Sequence, residues 1–214
     1  MPATFADPWL GRIAGLGLAA FALGAVSAWS ADRLVEHRPA IAPAAIIGLQ
    51  AVLVLGAWAA APSLHAAAAS MILSAALLTL AVVDVTELRL PDVITLPLAI
   101  AGLAVSAAQG SGVLDHAVGA LVGWAALAGL ASGFRRVTGR HGLGMGDAKL
   151  LAAAGAWCGW EALPVIVLVA CLGGFLWIGL RLARQGPASA GAPLPFGAPL
   201  ALATWLVQLG AGRL

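Results

Sequence analysis

The sequence predicts an all-α fold, a polytopic transmembrane helical bundle of about eight spans, and three observations carry that reading. Of 214 residues, 62% are hydrophobic and only 9% are charged, whereas soluble domains carry roughly a quarter charged residues. Apolar stretches of about 18 residues or more, the length a bilayer asks of a helix, recur along the chain. The basic residues fall almost entirely on one side of the alternating spans. A water-soluble core of this length cannot hide so much apolar surface. A secreted disulfide scaffold, a disordered tail protein and a nucleic-acid binder are excluded, the last because a net charge of +2 provides no attracting field.

The spans are expected near residues 10–31, 41–61, 64–84, 93–109, 116–134, 147–159, 162–182 and 196–212, a count of six to eight. The first follows Met1–Leu10, which carries Asp7 and no cluster of positive charge, so it reads as a retained span and not a cleaved signal. The third closes on Asp84, and the fourth opens after Pro91-Asp92. The sixth is short for a span and reads as a half-helix. Short loops leave residues 1–214 as one membrane-embedded domain.

In this arrangement Arg33, Arg38, Arg89, Arg135, Arg136, Arg140, Lys149, Arg181 and Arg184 share one side, and Arg12 and Arg213 lie on the other. That asymmetry predicts cytoplasmic loops at 32–40, 85–92, 135–146 and 183–195.

Carboxylates that persist within a bilayer tend to be functional. Asp7, Asp32, Glu36, Asp115 and Glu161 flank spans, where water reaches them. Asp92 reads as an N-cap, its carboxylate accepting a first-turn N–H. Asp84, at the end of SMILSAALLTLAVVD, and Asp147, in GLGMGDAKLLAAAGAW, fall at cytoplasmic span ends and at similar depth. Two readings stand for each. Asp84 is either an interfacial acid reaching for water or half of a two-carboxylate acid–base site; Asp147 is either an N-cap or the other half. For Asp147, glycines at 142, 144 and 146 favour the second reading, because they permit non-helical backbone and close approach of another chain; a flexible cytoplasmic loop is the alternative use for them.

GMGDAKLL at 144–151 resembles the GxGD signature of polytopic aspartic peptidases, in the form found in the prepilin peptidases. DVTELRLPDVITLPL at 84–98 is similar to that family's first aspartate motif, with Asp84 in the catalytic position and Pro91-Asp92 as its Pro-Asp pair. PLPFGAPLALATW at 193–205 resembles the family's C-terminal Pro-Phe-Gly-Pro block, with Ala198 inserted before Pro199. The motifs thus lie within 84–205.

The resemblance implies an aspartic endopeptidase of the bacterial inner membrane that removes a short basic leader from type IV prepilin or pseudopilin precursors at the cytoplasmic border. It implies Asp84 and Asp147 as the catalytic pair, with Gly144, Gly146, Lys149, Pro91 and Asp92 shaping the site or its substrate contacts. Peptide hydrolysis needs a base for the water and an acid for the leaving amine, and two close carboxylates that share a proton provide both. Many family members carry a zinc-binding loop with two CxxC pairs and methylate the new N-terminus with S-adenosylmethionine. This chain has no CxxC and resembles the short members, so neither zinc nor any cofactor is expected, and S-adenosylmethionine enters only if a methyltransferase is retained.

Lys149 reads either as an interfacial lysine or as a contact to substrate or to the Asp147 loop. Glu87 and Arg89 are placed to pair across a short turn. Trp9, Trp29, Trp58, Trp157, Trp160 and Trp177 read as interface anchors. His37, His65, His116 and His141 read as ordinary loop residues, and Cys158 and Cys171 as buried free thiols. The alternative from another class is a proton-coupled transporter with Asp84 and Asp147 as relay carboxylates.

Overall fold

The structure, a computed structural model, describes residues 8–36, 41–61, 63–139 and 144–211. In chain order its helices are α1 (Pro8–Leu34), α2 (Pro43–Ala60), α3 (Leu64–Glu87), α4 (Asp92–Gln109), α5 (Val113–Thr138), α6 (Met145–Cys158), α7 (Leu163–Gln185) and α8 (Gly197–Ala211), with a short 3-10 turn at Pro187–Gly191. Six of them, α1 to α5 and α7, are long and apolar enough to cross a membrane. The other two are short: α6 has 14 residues and α8 has 15, about 21–22 Å against a hydrocarbon core of about 30 Å. The chain is a multi-pass membrane protein, with the expected segments present and the sixth and eighth too short to span as regular helices.

Burial identifies the central helix. In α3, 67% of the spanning window is buried, against 22% in each of the other five long helices. It packs against α1, α2, α4 and α8, while α5 and α6 form the most extensive pair. Glycines make that pair possible: a Cβ on Gly119 would lie 2.6 Å from the Gly155 carbonyl oxygen, and one on Gly123 would lie 2.6 Å from that of Leu151. Small residues let the two backbones touch where lipid provides no hydrophobic drive between helices.

This antiparallel register has a consequence for depth. It sets Asp147 level with Leu127, eleven residues before α5 ends at Thr138, or about 16 Å along the axis. The start of α6 is therefore recessed below the tip of α5.

Several polar side chains inside the bundle find partners within it, as an environment without water favours. Thr79, Thr86, Thr95 and Thr204 each donate to the carbonyl four residues back. Ser27 of α1 donates to the Ala75 carbonyl of α3 at 3.2 Å, and Gln50 of α2 donates to Ser74 Oγ at 2.9 Å.

Several sequence expectations change here. Trp157 is no interface anchor: it is buried, its indole donating to the Leu98 carbonyl of α4 at 2.8 Å. The ring fills the space left by Gly102, where a Cβ would come within 2.6 Å of Trp157 Cδ1. His116 belongs to α5 and not to a loop, with Nδ1 3.0 Å from the Ala156 carbonyl oxygen of α6. That oxygen only accepts, so Nδ1 carries the proton. His65 lies in the first turn of α3. Cys158 and Cys171 are free thiols of intermediate burial. Trp29, Trp58, Trp160 and Trp177 are exposed, as anchors would be. Asp7, His37, Arg38, Arg140, His141, Gly142 and Arg213 lie outside the described residues.

Candidate active site

The end of α1, the α3–α4 loop, the start of α6 and the segment before α8 gather at one end of the bundle. Cross-links among them tie that end together. Arg89, just past α3, pairs with Glu36 at 3.3 Å and donates to the Leu34 carbonyl at 2.9 Å. Glu87 accepts the backbone N–H of Glu36 at 3.1 Å. Arg181 donates to the carbonyls of Ala192 and Pro193, each at 3.1 Å, bracing the approach to α8. The sequence suggested a Glu87–Arg89 turn contact; both side chains instead reach across to the end of α1.

A cleft of about 320 Å³ opens at this end, walled by the α3–α4 loop, the start of α6 and the segment before α8. Asp84, Asp147, Gly144 and Gly146 line it. Among the described residues Asp84 and Asp147 are the two buried acids, 4% and 8% exposed. Burial of two carboxylates in an apolar bundle is costly unless each has a use or a partner.

Asp84 is held by the first turn of α8. Its Oδ2 accepts the Ala198 N–H at 3.0 Å, one of the four N–H groups that a helix start leaves without an internal partner. Gly197 makes the approach possible, since a Cβ there would lie 2.9 Å from both Cγ and Oδ2 of Asp84. On the other side of the acid, Leu88 caps the end of α3 in the left-handed region, φ 54° and ψ 35°, its N–H bonded to the Asp84 carbonyl at 2.9 Å. A non-glycine residue in that region is strained by about 1–2 kcal/mol, and here the turn aims the loop across the cleft.

Asp147 sits in the first turn of α6. It is not the N-cap, a place taken by Gly144 in extended conformation at φ −72° and ψ 137°. Gly146 faces the opposite loop, where a Cβ would lie 2.9 Å from Leu90 Cβ. The glycines thus serve close approach: Gly146 lets the α6 start touch the loop that follows Asp84. The two carboxylates line one cleft, one from the end of α3 and one from the start of α6.

Three expected site residues lie beside the cleft and do not line it. Pro91 is the N-cap of α4, and Asp92 is that helix's first residue without a capping bond, which corrects the N-cap reading. The Asp92 carboxylate instead receives Lys149 Nζ in both oxygens, at 2.6 and 2.7 Å. This ion pair joins the starts of α4 and α6, and it resolves Lys149 as a partner of Asp92. Sequence reasoning assigned no role to Leu88, Leu90, Phe196, Gly197 or Ala198. The one signal for the last three was the PLPFGAPLALATW block, which carried a resemblance but no contact.

A second cavity of about 350 Å³ occupies the opposite end, with Gln109, Ser111, His116 and Gln208 in its wall and no acid. The cleft is distinguished by its carboxylates and not by its size.

The type IV leader peptidase family matches residues 71–179, a range that runs from α3 into α7 and contains both buried acids. A prepilin leader peptidase/N-methyltransferase of Aeromonas hydrophila is 43% identical over 143 residues, 66% of this chain and 49% of that protein. Its namesake in Pseudomonas aeruginosa is 40% identical over 144 residues, 67% and 49% of the two chains. In Escherichia coli (strain K12) the protein of that name is 49% identical over 109 residues, 50% and 47%. The chain spans about half the length of the curated relatives it matches. No solved structure matches it. With half the chain covered, and with Asp84 and Asp147 inside the match, this protein belongs to the type IV leader peptidase family.

Proposed function

We propose that the chain is a membrane aspartic endopeptidase that removes the short basic leader of type IV prepilin or pseudopilin precursors, with Asp84 and Asp147 as its catalytic pair. The observation that carries the reading is the burial of these two acids, from separate helices, in the wall of one cleft. One carboxylate takes a proton from water, which attacks the scissile carbonyl. The other, protonated, hydrogen-bonds that carbonyl, and the departing amine leaves with a proton from the pair. The water is activated by carboxylate alone, so no metal takes part, and S-adenosylmethionine has no role in this step.

The side of action follows from charge. Arg33, Arg89, Arg135, Arg136, Lys149, Arg181 and Arg184 lie at the end of the bundle that holds the cleft. Basic ends face the cytoplasm, so cleavage takes place at the cytoplasmic border of the bacterial inner membrane. Both acids lie at one end of the bundle, which favours a surface reaction over a relay for protons through the bilayer.

Membranes containing this chain, incubated with a full-length type IV prepilin, test the proposal by intact mass. Loss of the leader mass, with an N-terminal sequence that begins at the new terminus, is the expected result. A prepilin of unchanged mass beside well-inserted enzyme, repeated with pseudopilins, contradicts it.

A further inference from the structure

The cavity of about 350 Å³ at the end opposite the carboxylate cleft takes no part in the peptidase reading. Six helices meet around it: α2, α4, α6 and α8 at their ends, α3 and α5 at their starts. Packed interiors leave few voids larger than a water molecule, and this one has the size of a small-molecule site, about 300–1,000 Å³.

Its wall is apolar on one part and polar on another. Alanines of α2 and α3, with Val105 and Leu209, form the apolar part. The polar part carries hydrogen-bonding groups that the protein leaves unmet. Ser70 is 9% exposed, and its hydroxyl has no partner among the described residues. Ser74 and Thr79 of the same helix donate to backbone carbonyls, as Ser70 does not. A buried hydroxyl left without a partner is costly. Gln208 accepts the Cys158 thiol on Oε1 at 3.2 Å, which leaves its amide N–H groups free. His116 commits Nδ1–H to the Ala156 carbonyl at 3.0 Å, so Nε2 of the neutral ring remains an acceptor.

These groups define what fits. No described residue of the wall is an Asp, Glu, Lys or Arg, so a charged group would lose its water here and find no counter-charge. The ligand is therefore uncharged. It must donate to His116 Nε2, accept from the Gln208 amide, and do either at Ser70. An ester or ether oxygen only accepts, whereas neighbouring hydroxyls donate and accept at every oxygen. Their carbon skeleton, or an alkyl chain attached to it, can face the alanines. We propose that this cavity binds an uncharged polyhydroxyl group of the sugar type, held by Ser70, His116 and Gln208, at a site separate from peptide cleavage. A free sugar and a glycolipid headgroup carry the same chemistry.

The full-length chain in nanodiscs is titrated with octyl glucoside below its micellar concentration, with free glucose, and with octyl phosphocholine as a zwitterionic headgroup on the same alkyl chain. Native mass spectrometry counts the probe retained by each chain, and thermal unfolding reads the stabilisation that binding gives. One octyl glucoside per chain at saturation, with octyl phosphocholine not retained, is the expected result. Ser70→Ala and Gln208→Leu should each weaken binding roughly tenfold. Without probe, Ser70→Ala should unfold at the wild-type temperature or above, since its hydroxyl has no protein partner to lose. Glucose binding as tightly as octyl glucoside identifies a free sugar, and binding of octyl glucoside alone identifies a membrane glycolipid; both support the proposal. Retention of neither sugar probe, equal retention of octyl phosphocholine, or wild-type affinity in both variants would overturn it, whether or not the chain cuts a prepilin.

Discussion

Replacing Gly197 by alanine puts one methyl group where the structure has no room for it. The new Cβ would stand 2.9 Å from Asp84 Cγ and Oδ2 and 3.0 Å from Leu90 Cδ1. Ordinary carbon contacts lie near 3.5–4.0 Å, so the carboxylate or the α8 start must yield by about 0.6 Å or more. The bond from the Ala198 N–H to Oδ2, now 3.0 Å, then stretches beyond the hydrogen-bonding range. A hydrogen bond to a charged group is worth about 1.5–3 kcal/mol, or roughly tenfold to 100-fold in rate if it is lost where the geometry of reaction matters. We expect kcat for prepilin cleavage to fall by about that factor, with KM little changed. Gly179→Ala, at a helix position with nothing within 4 Å of its Cβ, should leave activity alone. The assay is leader removal followed by mass against time, normalised to inserted enzyme. Wild-type kcat in Gly197→Ala would refute the idea that α8 positions Asp84.

Three further outcomes follow from named contacts. The Lys149–Asp92 pair is partly exposed, at 31% and 54% of its side chains, so Lys149→Met should cost no more than about 1 kcal/mol of stability. The swap Asp92→Lys with Lys149→Asp should recover what either single charge change loses, as a double-mutant cycle in thermal unfolding would read. Gly155→Val places a branched side chain against the Gly119 backbone of α5. It should destabilise by about 3 kcal/mol or more, seen as lost expression or a sharply lower unfolding temperature in detergent. A chelator added to membranes should leave the cleavage rate unchanged, since the proposed water is activated by carboxylate; lost activity restored by a divalent metal would contradict that mechanism.

The helices were legible because lipid imposes long apolar runs, and each expected span has its helix. The lengths of α6 and α8 were harder to read, since the glycines and prolines around 142–146 and 193–199 blur where regular helix begins. Asp84 and Asp147 stood out because few acids tolerate an apolar run, and among the described residues they are the acids that are buried. Contacts between distant elements were not legible. Asp92 looked like an N-cap on local grounds, but its partner Lys149 lies 57 positions away, and the bond from Ala198 to Asp84 crosses 114. Trp157 near a span end read as an anchor because nothing in its own segment points to Gly102, where a missing side chain makes room for the ring.

The central claim is that one carboxylate from α3 and one from α6 together cut the precursor. Its most direct test is the intact mass of a type IV prepilin co-expressed with the wild type, Asp84→Asn, Asp147→Asn and the double variant, each confirmed to insert at equal level. The account predicts loss of the leader with the wild type alone, and no further loss of activity in the double variant, because the two groups act as a unit. A processed prepilin in either single-variant sample would contradict it.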